Sequence, residues 1–100
     1  MSTTQAHITV TELGPSKLLN RLATHWAHKL EVEQSPERAR IVFPGDAVCV
    51  LQAADAQTLH ARIDAPDAGV LDRLEEVVAS HLLRMSRGEA LEISWSRASA

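Results

Sequence analysis

Asp67-Ala68-Gly69-Val70-Leu71-Asp72-Arg73-Leu74-Glu75-Glu76-Val77-Val78-Ala79-Ser80-His81-Leu82-Leu83-Arg84-Met85-Ser86-Arg87-Gly88 is the stretch that decides the fold. Val70, Leu71, Leu74, Val77, Val78, Leu82 and Met85 recur at the helical period, so one stripe of the helix is apolar and must be buried against another layer. Asp67, following Pro66, suits an N-cap, with its carboxylate near the positive end of the dipole. Arg84 and Arg87 suit the negative end, and Gly88 is a natural stop.

The sequence on both sides of this helix has the period of strands. Thr58-Leu59-His60-Ala61-Arg62-Ile63-Asp64 alternates cleanly, with Leu59, Ala61 and Ile63 on one face. Val48-Cys49-Val50-Leu51 is β-branched and apolar like a central strand, and Ala39–Phe43 is a further strand closed by Pro44-Gly45-Asp46. Leu30–Glu33 is a weaker strand. The chain after the helix, Leu91-Glu92-Ile93-Ser94-Trp95, alternates again.

Near the start, His7–Thr11 alternates with Ile8 and Val10 inward. Gly14-Pro15-Ser16 then opens a first helix expected to run from Ser16 to Leu30, with Leu18, Leu22 and Trp26 on its buried stripe. Residues 1–6 read as a flexible tail and residues 7–97 as a single domain. The element order predicts an α+β two-layer sandwich, with both helices on one face of a mixed, mostly antiparallel sheet. The opposite face, carrying Thr9, Thr11, Arg40, Thr58, His60, Arg62, Glu92 and Ser94, is polar enough for water and is also a candidate surface for a homodimer.

Composition narrows the function classes. One hundred residues make one two-layer core, and no segment approaches the ~20 apolar residues of a membrane span. Met1–His7 has neither a basic start nor an apolar run, which predicts a cytoplasmic protein with no membrane partner. Thirteen acids against ten bases give a net charge of −3, and only Trp26, Phe43 and Trp95 are aromatic, which argues against nucleic acid. Cys49 is alone, so neither an internal disulfide nor a Cys-based zinc module can form. The four glycines are isolated, and there is no serine nucleophile elbow and no paired-carboxylate signature.

The histidines are the candidate site. His25 and His28 lie one turn apart in Ala23-Thr24-His25-Trp26-Ala27-His28-Lys29, and His81 interrupts the apolar stripe of the second helix. A buried imidazole needs a hydrogen-bond partner or a metal, because leaving a polar group unpaired costs ~1–3 kcal/mol. The structural reading makes His81 a core histidine bonded to a carbonyl and His25 and His28 solvated helix residues, and such occurrences outnumber ligands. The functional reading makes His25, His28 and His81 metal ligands if the helices pack side by side, with iron, zinc or haem as the cofactor that suits neutral imidazoles. Arg38, Arg40 and Arg62, with Lys29, form either a patch for an anion or a solvated strand face, the commoner case.

Several stretches are similar to one family. They are Leu22–Val32 with its His25-Trp26-Ala27-His28-Lys29 group, Arg40–Pro44, Cys49–Ala53, Leu74–Leu82 and Leu91–Trp95. Together they resemble the bacterial family designated domain of unknown function 2218 over nearly the whole chain, from about Thr9 to Trp95. Some relatives look like the tail of siderophore-interacting flavin reductases. The resemblance therefore implies a role in iron or siderophore handling, with such a reductase or an iron chelate as partner and His25, His28, Lys29 and His81 as matching positions. The Pro44-Gly45-Asp46 tract departs from the aromatic-glycine pattern of that family.

Two functions compete: an accessory protein binding metal or haem through helix histidines, and a non-enzymatic interaction or dimerisation module with structural histidines. An enzyme using a histidine as general base ranks last, for want of a nucleophile or carboxylate partner.

Overall fold

The computed structural model describes residues 1–98. Strands β1 (Ser2–Thr9), β2 (Glu31–Ser35), β3 (Arg38–Phe43), β4 (Ala47–Ala53), β5 (Thr58–Ala65) and β6 (Ser96–Arg97) form one sheet in the order β2-β3-β4-β5-β1-β6. Every pairing among them is antiparallel, so the sheet is not mixed. Helices α1 (Pro15–Trp26) and α2 (Ala68–Met85) pack on one face, giving the expected α+β two-layer arrangement.

Alternation sets which side of each strand is dry. Ala6 and Ile8 of β1, Ile41 of β3, Cys49 and Leu51 of β4, and Leu59, Ala61 and Ile63 of β5 are buried beneath the helices. They meet Leu18, Leu19 and Leu22 of α1 and Leu71, Leu74, Val78 and Leu82 of α2 in one continuous core. Each fully buried aliphatic side chain here contributes ~1.5–3 kcal/mol relative to exposure.

Local chemistry sets the helix ends. Gly14, at φ 91°, precedes Pro15 at the first turn of α1. The Asp67 carboxylate accepts from the Val70 N–H at 2.9 Å and caps α2. Past α2, Arg87 at φ 55° and Gly88 at φ 98° turn the chain out of the helix.

Three boundaries differ from the sequence reading. Ser2–Ala6 is not a tail but the first part of β1, because β5 continues to Ala65 and offers a partner as far as Ser2. Its Ser-Thr-Thr-Gln-Ala composition carries little hydrophobic signal, and only the partner strand reveals it. Helix α1 ends at Trp26 rather than Leu30, where the N–H groups of Lys29 and Leu30 both turn back to the Trp26 carbonyl. The final strand is only Ser96–Arg97, on the free edge of β1. Leu91, Ile93 and Trp95 instead lie half-buried against the core without joining the sheet, and Glu92 and Ser94 are exposed outside its open face.

That terminal segment is held at both ends. The Glu89 carboxylate accepts backbone N–H bonds from Thr11, Glu12 and Leu13 at 2.9, 3.2 and 3.0 Å. Arg97 pairs with Asp72 and donates twice to Glu75, at 2.8 and 3.2 Å, while the Ala98 N–H reaches the Thr3 carbonyl at 3.0 Å.

Candidate functional site: paired histidines on two faces

The side-by-side packing of α1 and α2 brings His25 and His81 together, with ring centroids 5.6 Å apart at 44°. Both face the same helix–helix seam, where Arg21 Nη1 also donates to the Met85 carbonyl at 3.3 Å. His81 is half-buried and lies 5.0 Å from the Trp26 ring, which meets Phe43 edge-on at 5.1 Å. Trp26 is thus the core anchor that its position on the stripe predicts.

His81 Nδ1 is 2.7 Å from the Val77 carbonyl oxygen, an acceptor, so Nδ1 carries the proton and donates it. In the neutral ring this bond selects the Nδ1–H tautomer, whose unprotonated nitrogen is Nε2. Ligating histidines are commonly oriented in this way, and so are purely structural ones. His25 is exposed at the rim. An open groove of about 460 Å³ begins beside it, lined by Asn20, Arg21, Thr24, Met85 and Arg87. A larger depression, about 540 Å³, lies at the start of α1 beside Gly14 and Lys17, and no histidine lines it.

His28 does not join them as a third ligand. The i, i+3 reading assumes that α1 continues to Leu30, whereas His28 lies exposed in the turn beyond Trp26. Among the described residues no three His, Cys, Asp or Glu side chains gather as a group able to hold a metal. The trio therefore resolves into a pair, and an ion held there must complete its coordination from water or a chelator.

Across the sheet, on the water-facing side, register places His7 of β1 directly opposite His60 of β5. Their ring centroids are 4.6 Å apart at 37°. Sequence reasoning placed His60 on this face but left His7 unused. The signal was available in principle, since both histidines fall on polar positions of alternating strands, but the pairing depends on a register that a single sequence does not fix.

Two residues of the basic patch have acidic partners on their own face: Arg62 pairs with Asp64 at 3.2 Å, and Arg40 lies 3.9 Å from Glu33. Lys29 is in the turn after α1. Cys49 is fully buried, and desolvation pushes its thiol up to about 12, so it behaves as a small hydrophobe. Among the described residues no helix is long and apolar enough to cross a membrane.

The fold and the paired histidines define a small α+β domain with an open antiparallel sheet. The chain belongs to the family described as uncharacterised proteins conserved in bacteria, DUF2218, whose model matches residues 5–96. It is similar to the protein in the NMR structure of PA4090 from Pseudomonas aeruginosa, at 38% identity and a TM-score of 0.78 over 96% of each chain. No curated protein matches it.

Proposed function

We propose that this protein is a non-enzymatic accessory factor that takes up a metal ion, its chelate or haem between its two helices, with His25 and His81 as ligands. The observation that carries the reading is the 5.6 Å approach of the two rings, with His81 held by Val77 in the tautomer that keeps Nε2 free. Metal–nitrogen bonds of about 2.0–2.1 Å require two donor atoms within roughly 4 Å of each other, which small ring rotations at this spacing supply. With only two protein ligands, the remaining positions stay with the incoming chelator, as suits a carrier more than a catalyst. Iron is the cargo that the resemblance to the tails of siderophore-interacting reductases favours, and Arg21 and Arg87, which line the groove beside His25, would meet an anionic chelate.

The test is retention of ferrous iron, zinc and haem by untagged protein, read by optical spectra and elemental analysis. Stoichiometric uptake lost in both His25→Ala and His81→Ala supports the reading. Uptake unchanged in both variants, or none in the parent, overturns it.

A second reading has one specific observation behind it. Val42 and Val48 sit opposite each other on the uncovered face of the sheet, next to Val50. Self-association through this face predicts a dimer in sedimentation that Val48→Lys abolishes.

A further inference from the structure

We propose that His7 and His60 form a second site, independent of the helix pair: a two-imidazole site for a divalent transition-metal ion on the open face of the sheet.

The geometry begins with the register. β1 and β5 pair over all eight residues of each strand, and His7 stands directly opposite His60 within that ladder. Directly opposed residues of an antiparallel pair have Cβ atoms about 4.5–5.5 Å apart. That spacing lets two imidazoles reach one ion, and here the rings already lie at 4.6 Å. Unlike a pair on a flexible loop, both ligands stand on a hydrogen-bonded frame, so little conformational entropy is lost when an ion bridges them.

The surroundings prepare one ligand. His60 Nε2 is 3.0 Å from Gln5 Oε1, an acceptor, so Nε2 carries the proton and Nδ1 keeps its lone pair. Gln5 stands two residues before His7 on the same face of β1, and its side chain orients His60 much as an outer-sphere carbonyl orients a ligating histidine.

Few charges oppose an ion. On β5 Arg62 is engaged by Asp64 at 3.2 Å. On β4 the residue facing His60 is the neutral Gln52, and beyond it on β3 stands Arg38. Intermediate N/S-type divalent ions such as zinc, nickel or copper fit two imidazoles, whereas magnesium and calcium, which prefer oxygen, do not.

The experiment titrates untagged full-length protein with zinc and with nickel, each alone. Calorimetry gives affinity, and imidazole nitrogen NMR identifies the ring. The expected result is a metal-dependent shift at His7 and His60, and a loss of on the order of tenfold or more in that affinity in His7→Gln and in His60→Gln. Gln5→Leu weakens the site without abolishing it. The same binding event persists in a His25→Gln/His81→Gln double variant, which separates it from the helix pair. Ring shifts confined to His25 and His81, unchanged affinity in His7→Gln and His60→Gln, or no binding of either metal overturns the proposal. The ring shifts are read on the parent protein, so the test does not depend on how well any variant folds.

Discussion

Replacing His81 with leucine separates a ligand from a structural core histidine. The substitution removes the Nδ1–H bond to the Val77 carbonyl, worth about 1 kcal/mol net, although that carbonyl keeps its place in the helix. Leucine fills a similar half-buried space against Trp26 and returns roughly 1 kcal/mol of apolar burial, with a few tenths more from helix propensity. The opposing contributions nearly cancel, so stability should change by less than about 1 kcal/mol, or under about 8 °C in Tm for a domain of this size. Metal or haem uptake at the helix pair should vanish. Urea unfolding followed by tryptophan fluorescence, beside elemental analysis of the folded variant, measures both. A loss above about 2 kcal/mol would show that the His81 bond is chiefly structural, and unchanged uptake would remove His81 from the site altogether.

Further outcomes follow from single features of the fold. Thr4 is fully buried, and among the described residues its hydroxyl makes no well-formed hydrogen bond, only a weaker approach to the Glu75 carboxylate, so Thr4→Val should change stability by less than about 1 kcal/mol in denaturant titration; a larger loss would show that the hydroxyl bonds Glu75. Cys49 should resist thiol reagents in the native state and react only on unfolding, as a timed absorbance assay with and without urea would show. Acid should act in two stages. His60 has its pKa lowered by burial, then by His7 and Arg62, so the unfolded chain binds the proton more readily and stability begins to fall as pH drops through 6.5; His60→Gln should remove this stage. Glu75 and Glu89 have their pKa values lowered, chiefly by Arg97 and by the Leu13 N–H respectively. Their stabilisation is complete above the ordinary carboxylate range and is lost as pH falls through their lowered values, with Glu89→Gln blunting the second stage in pH-dependent thermal melts.

Helix α2 was legible because its stripe is long, periodic and capped by Asp67. The strands around Val50 and Ile63 were legible because a pleated strand with one dry face must alternate. The first six residues were misread for the same physical reason: Thr4 and Ala6 bury too little apolar surface to mark a strand until β5 lies beside them. The segment around Trp95 alternates like a strand, yet its apolar residues pack on the core and only Ser96 and Arg97 reach the ladder.

The sequence by itself determined the two amphipathic helices, the four central strands and the placement of His81 on a buried stripe. All of these follow from short-range periodicity and caps. Tertiary structure alone decided that His25 meets His81 while His28 stays outside, and that His7 stands opposite His60. Each pairing depends on how separate elements dock, through helix crossing and strand register, and those are set by the packing of the whole core rather than by spacing along the chain.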